Sequence, residues 1–134
     1  MAATAGNNNV AGRGKTVPEI LGLAFGAVYL LVGIVGFFVT GFDNFAGNDQ
    51  HETLLGLFMI NPLHNIVHIL IGVAGLVLGR TLAGARTFGW LLAVGSDWDF
   101  LNINAGDNVL HAATAIVGLV IALLPVRNSV DARR

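Results

Sequence analysis

Three of the four histidines and one aspartate carry most of the chemistry this chain can offer. His64 and His68 stand four apart in NPLHNIVHILIGVAGL, residues 61–76, and Asp107 and His111 stand four apart in NAGDNVLHAATAIVGL, residues 104–119. Residues four apart share a helix face, so each pair sets two ligating or proton-carrying groups side by side. Imidazoles with a carboxylate suit zinc or another transition metal, and His68 with His111 has the donor types that hold a haem. The competing reading is structural. His64 and Asp107 fall in the first turn of their helices, where unpaired backbone amides favour a carboxylate and disfavour a cation. His68 and His111, with Asn65 and Asn108, can hydrogen-bond across a helix interface, a contact of about 0.6 and at most about 2 kcal/mol.

On balance Asn61, His64, Asn65, His68, Asn104, Asp107, Asn108 and His111 read first as a helix-packing signature, with no metal and no cofactor assigned. The alternative makes the same residues an outward-facing pocket for a small ligand, a proton or a metal. No nucleotide loop, nucleophile triad or paired-carboxylate arrangement is present. No catalytic residue is therefore assigned, and the chain reads as non-enzymatic.

The two runs superpose on a shift of about 43 residues, a period at which internal repeats carry structural meaning. Asn61 falls on Asn104, His64 on Asp107, Asn65 on Asn108 and His68 on His111. Each copy leads from a polar cluster into a long apolar stretch. Small residues mark a close-packing face in both: Gly72, Gly75 and Gly79 in the first, Gly118 and Ala122 in the second. Gly22 and Gly26, continued by Gly33 and Gly36, give the preceding apolar run a similar stripe.

Composition places these elements in a bilayer. The chain has 134 residues, 54% of them hydrophobic and 11% charged, and a mean hydropathy of +0.73. Residues 20–42, 53–79 and 108–126 hold no Asp, Glu, Lys or Arg, and each run is long enough to cross as a helix. The absence of cysteine removes thiolate chemistry, and a net charge of -1 offers nothing to nucleic acid.

Thr16 and Glu19 make a capping box at the start of helix one, and the first apolar run is read as an uncleaved span. The loop from Gly41 to Glu52, with Asp43, Asp49 and His51, reads as solvated. The segment from Leu54 to Ile60 either lies along the outer surface or folds back before Asn61-Pro62 opens helix two. Residues 81–96 are short for a crossing. Four crossings nevertheless put Arg13, Lys15, Arg80, Arg86, Arg127, Arg133 and Arg134 on one side, as the positive-inside rule favours, and set Trp98 and Phe100 at the outer interface.

The expected fold is all-α, an integral membrane four-helix bundle with an internal repeat in helices two and four and an unusually short third helix. Its divisions are a disordered cytoplasmic tail over 1–15, the transmembrane domain over 16–126 and a basic cytoplasmic tail over 127–134. The expected topology is multi-pass, with both termini cytoplasmic. The lipid bilayer is the partner, joined by other membrane proteins or a second copy of the chain, and no nucleic acid.

The motifs Asn-Pro-Leu-His-Asn-x-x-His at Asn61 to His68 and Asp-Asn-x-x-His at Asp107 to His111, with GAVYLLVGIVGF in helix one, resemble DUF4383. This is a family of small bacterial four-helix membrane proteins of unknown function, and the resemblance runs over about residues 18–125. It implies the four-helix membrane architecture and a place in the bacterial inner membrane, and offers no activity to transfer. Together these readings predict a structural or accessory membrane subunit, with a binding or transport pocket as the alternative.

Overall fold

The computed structural model describes residues 14–46, 52–95 and 104–126. Asp49, His51, Trp98, Phe100 and most of both expected tails lie outside them. Four helices account for most of the rest: α1 (Val17–Thr40), α2 (Pro62–Leu78), α3 (Leu82–Val94) and α4 (Ala105–Leu123). Between α1 and α2 lies a small hairpin, β1 (Thr53–Leu54) paired antiparallel with β2 (Phe58–Met59).

Each helix begins where a side chain satisfies amides that have no partner within the helix. The Thr16 hydroxyl accepts from the Glu19 amide, and the Glu19 carboxylate takes the Thr16 amide at 2.7 Å, completing the box. The Asn61 side chain accepts from the His64 amide at 2.7 Å, and Pro62 follows in the first turn, where its missing N–H leaves nothing unpaired. Thr81 caps α3 by accepting from the Gly84 amide at 3.1 Å. Asn104 and Asp107 repeat the full box on α4. At its other end α1 stops on Gly41, whose φ of 60° suits a residue without Cβ.

The segment after α1 folds back, as one of the two sequence expectations had it. Its turn carries Leu55 at φ 56° and Gly56 at φ 70°, and the Leu57 amide donates to the Leu54 carbonyl. A leucine in left-handed backbone costs about 1–2 kcal/mol, so the hairpin needs outside support. It has three ties. The Met59 amide donates to Asp107 Oδ2 at 3.0 Å, the Asn104 side-chain amide donates to the Leu57 carbonyl at 3.0 Å, and the Leu63 amide donates to the Phe45 carbonyl at 3.0 Å.

The helices pack antiparallel, α1 chiefly on α2 and α3 chiefly on α4. Glycine sets the first contact. A Cβ built on Gly26 would lie 2.7 Å from the Gly75 carbonyl carbon, and one on Gly33 would lie 2.7 Å from an Ile69 side-chain carbon. The space beside Gly36 is filled by the Asn65 carboxamide. Gly118 meets Gly89 of α3, each lying where the other's carbonyl would touch an added Cβ at 2.6 Å. The apolar core centres on Ala85, Phe88 and Leu92 of α3 and Ile121 of α4, and Leu21 and Phe25 of α1 with Ile71 and Leu78 of α2 pack against it, joining the two pairs.

Helices α1 and α4 are long and apolar enough to cross a membrane, and α2 and α3 are shorter apolar helices. The outward faces are apolar too, with Leu31, Ile34, Leu70, Val73, Ile116 and Leu123 exposed and Phe38 at 86%. Charges gather at the ends among the described residues. Lys15 donates to the Arg80 carbonyl at 3.1 Å and Arg86 to the Leu124 carbonyl at 3.4 Å, which puts these three basic residues at one end. Asp43, Glu52 and Asp107 belong to the other.

Candidate functional site

The N-terminal turns of α2 and α4 both lie at the end of the bundle that carries Asp107. Because Asn61 and Asn104 fix where these helices begin, His64 and Asp107 take the same third helical position, and His68 and His111 follow one turn deeper. Side chains from the two helices then converge. The Nε2 atoms of His64 and His68 lie 3.1 Å apart, one donating and the other accepting according to tautomer. The His64 and His111 ring centroids lie 6.1 Å apart. One nitrogen from each of the three rings falls within 4.8 Å of the others.

Helix α1 closes another side. The Tyr29 ring stands edge-on to His68 at 5.1 Å, and its hydroxyl donates to Thr114 Oγ1 at 3.3 Å. Thr114 in turn donates to the His111 carbonyl at 2.9 Å. In front of the imidazoles is a cavity of about 240 Å³. Phe25, Val28, Tyr29 and Val32 wall it from α1, and Leu110, His111 and Thr114 from α4; Leu54, Leu55, Phe58 and Ile60 come from the hairpin segment. Val28 (56%), Leu110 (43%) and Leu55 (82%) line it and are also exposed, so it is reached from the surface beside α1, α4 and the hairpin. Two polar atoms on this wall are buried without a hydrogen-bond partner among the described residues, Nδ1 of His68 and Nδ1 of His111.

The residues expected from the sequence divide into groups. Asn61 and Asn104 are caps, and Asn104 also holds the hairpin. Asp107 is buried, and its Oδ2 accepts from both the Asn104 amide at 2.9 Å and the Met59 amide at 3.0 Å. Asn65 is buried and donates from Nδ2 to Thr40 Oγ1 at 2.9 Å, joining α2 to α1. His64, His68 and His111 come together at the cavity. Asn108 does not follow Asn65: it is exposed. The glycine set splits similarly. Gly22, Gly26, Gly72, Gly75 and Gly79 serve the α1–α2 contact, whereas Gly118 and Ala122 serve α3–α4.

Tyr29, Thr114 and the hairpin residues joined the site without being expected from the sequence. Tyr29 left one signal: it is the single tyrosine of the chain, inside an otherwise apolar run.

The fold and the site define a small all-α protein of four helices with a histidine-lined cavity beneath a hairpin. The chain belongs to the family described as Domain of unknown function (DUF4383), which it matches over residues 19–96. The match takes in α1, the hairpin, α2 and α3, and with them His64 and His68. It ends before α4, so the resemblance at Asp107, Asn108 and His111 rests on the motif alone. No curated protein and no solved structure matches the chain.

Proposed function

We propose that this chain is an integral membrane protein with four crossings and both termini in the cytoplasm, and that it binds a small lipophilic molecule without transforming it. The observation that carries the binding reading is the cavity, about 240 Å³, apolar except for three imidazoles and the Tyr29, Asp107 and Thr114 side chains. Ligand pockets for drug-sized molecules run to about 300–1,000 Å³. This one suits a smaller molecule, or the polar head of an amphiphile whose tail stays among the lipid chains. Its exposed lining residues Val28, Leu110 and Leu55 are all apolar, the kind of surface through which a bilayer-dissolved ligand can enter.

The apolar outer faces support membrane immersion, since a soluble bundle would carry polar residues there. The grouping of Lys15, Arg80 and Arg86 supports the orientation, and the bacterial inner membrane is the location that fits it. At about 1.5 Å per residue α3 is roughly 20 Å long, short of a hydrocarbon core of about 30 Å. Arg86 reaching the Leu124 carbonyl, with local thinning of the bilayer, accommodates the shortfall.

We read α1–α2 and α3–α4 as two copies of one unit. Asn61 and Asn104 cap alike, His64 and Asp107 take the same position, and Gly75 meets Gly26 much as Gly118 meets Gly89. The accessory-subunit reading accounts for Asn65, which bonds α1, and for Asp107, which holds the hairpin. It leaves unexplained why three imidazoles face a cavity.

The test uses a diazirine-bearing medium-chain fatty alcohol in liposomes holding the purified protein. Light should attach it to peptides from α1 and α4, and Val28→Trp or Leu110→Trp should block attachment while the protein keeps its helical content. Labelling unchanged by both substitutions would end the binding reading. Topology is tested separately, by reporters at Asn9 and Arg134, which should report one compartment; opposite compartments would mean that α3 does not cross.

A further inference from the structure

We infer that His64, His68 and His111 form a binding site for a divalent first-row transition metal, zinc foremost, with a coordination position left open toward the cavity. This deepens the pocket reading and rests on the same wall. The three imidazoles belong to two helices and supply one donor nitrogen each within 4.8 Å. A tetrahedral ion with zinc–nitrogen bonds of about 2.0–2.1 Å needs its donors about 3.3 Å apart. The His64 and His68 nitrogens already stand at 3.1 Å. The widest separation has to close by about 1.5 Å, a shift on the scale of side-chain rotation.

The polar accounting points the same way. Neutral imidazole has one donor and one acceptor nitrogen, and burying either without a partner costs about 1–3 kcal/mol. His68 and His111 each leave Nδ1 so placed, on one wall. With Nε2 of His64 and His68 on the ion, His68 Nδ1 is left to donate to an outer-shell partner such as water, and His111 can ligate through the Nδ1 that has no partner among the described residues.

The donor set narrows the metal. Imidazole suits zinc, copper, nickel and iron, whereas thiolate chemistry is absent from a chain without cysteine. Magnesium and calcium prefer oxygen, and the carboxylate of Asp107 is engaged by two backbone amides. That carboxylate still lines the cavity, so it offsets part of the ion's charge where the helix N-termini would otherwise repel a cation. Three protein ligands with one open place is the pattern of zinc sites that bind an exchangeable molecule. Here the open place gives the lipophilic guest an oxygen-anchoring point.

The experiment takes the full chain in detergent, strips it with a chelator, and loads it with zinc for stoichiometry and with cobalt for visible spectroscopy. Wild type should hold one zinc per chain and give the intense bands of four-coordinate cobalt. Losing an outer-shell partner alone costs about 10–100-fold in affinity, so His68→Ala and His111→Ala should weaken binding at least that much. His51→Ala should bind as wild type does. If either alanine variant loses helical content, His111→Asp serves instead: it keeps a ligating atom and should retain zinc while altering the cobalt spectrum. Wild type that takes up no metal overturns the inference, as does binding that survives His68→Ala and His111→Ala together. Val28→Trp separates the two readings, since it should abolish labelling by the fatty alcohol and leave the zinc stoichiometry at one. Metal without labelling would sink the pocket reading alone; labelling without metal would sink the site.

Discussion

Gly22 and Gly26 lie one turn apart on the same stripe of α1, yet the same substitution should act on them in opposite senses. An alanine methyl at Gly22 would meet the Gly79 Cα at 3.4 Å and the Ala85 Cβ at 3.6 Å, ordinary van der Waals distances. At Gly26 it would fall 2.7 Å from both the Gly75 carbonyl carbon and the Leu76 nitrogen, which are backbone atoms and cannot rotate aside. Alanine in a helix interior is worth about 0.5–1 kcal/mol over glycine. Gly22→Ala should therefore be neutral or stabilising by up to that amount. At Gly26 the same gain is set against prising two helices apart, and overpacking of this kind costs about 1–3 kcal/mol. The two variants should differ by roughly 1–3 kcal/mol, with Gly26→Ala the weaker. Denaturant titration in one detergent, followed by helical circular dichroism, measures both. Equal midpoints, or a Gly22→Ala variant less stable than Gly26→Ala, would refute the close α1–α2 contact at Gly26 and Gly75.

Three further substitutions examine the polar residues and the hairpin. Asn65→Ala removes the bond to Thr40 and should lose about 0.6–2 kcal/mol in the same titration, whereas exposed Asn108→Ala should stay within about 0.5 kcal/mol of wild type. Asp107→Ala leaves the Met59 and Asn104 amides without their acceptor; a loss of about 1–3 kcal/mol is expected, with faster proteolysis between Glu52 and Ile60. Leu55→Gly relieves the left-handed backbone of an exposed leucine and should slow that proteolysis, by an amount that reflects about 1 kcal/mol.

What the sequence revealed and what it hid follow from how local each feature is. Thr16 with Glu19, Asn61 with Pro62, and Asn104 with Asp107 act within three residues, so the starts of α1, α2 and α4 could be read directly from spacing. The small-residue stripes were legible as stripes, but not which helix each one meets: Gly118 faces Gly89 rather than anything on α2. Superposing the two runs set Asn108 equivalent to Asn65, yet it faces outward. Residue type repeats with the sequence, whereas burial depends on which neighbours flank a helix. The meeting of His64 and His68 with His111 depends on the rotation of α2 against α4, which no spacing within either run encodes. The hairpin was half-legible. Its strands are two residues long and its turn places a leucine at positive φ, so neither alternation nor turn composition announced it.

The division of packing into α1 with α2 and α3 with α4 also has a consequence for the order of events during biosynthesis. The first pair shares most of its close contacts internally, so it can settle as soon as α2 has left the ribosome. Two of the three imidazoles are then in place, on α2. The third belongs to α4, which follows α3 and a further stretch of chain, so the triad exists only after the last helix has docked. Metal capture at this wall would thereby report completed assembly, and a chain truncated after α3 would keep its first helix pair and yet hold an open site that no ion closes.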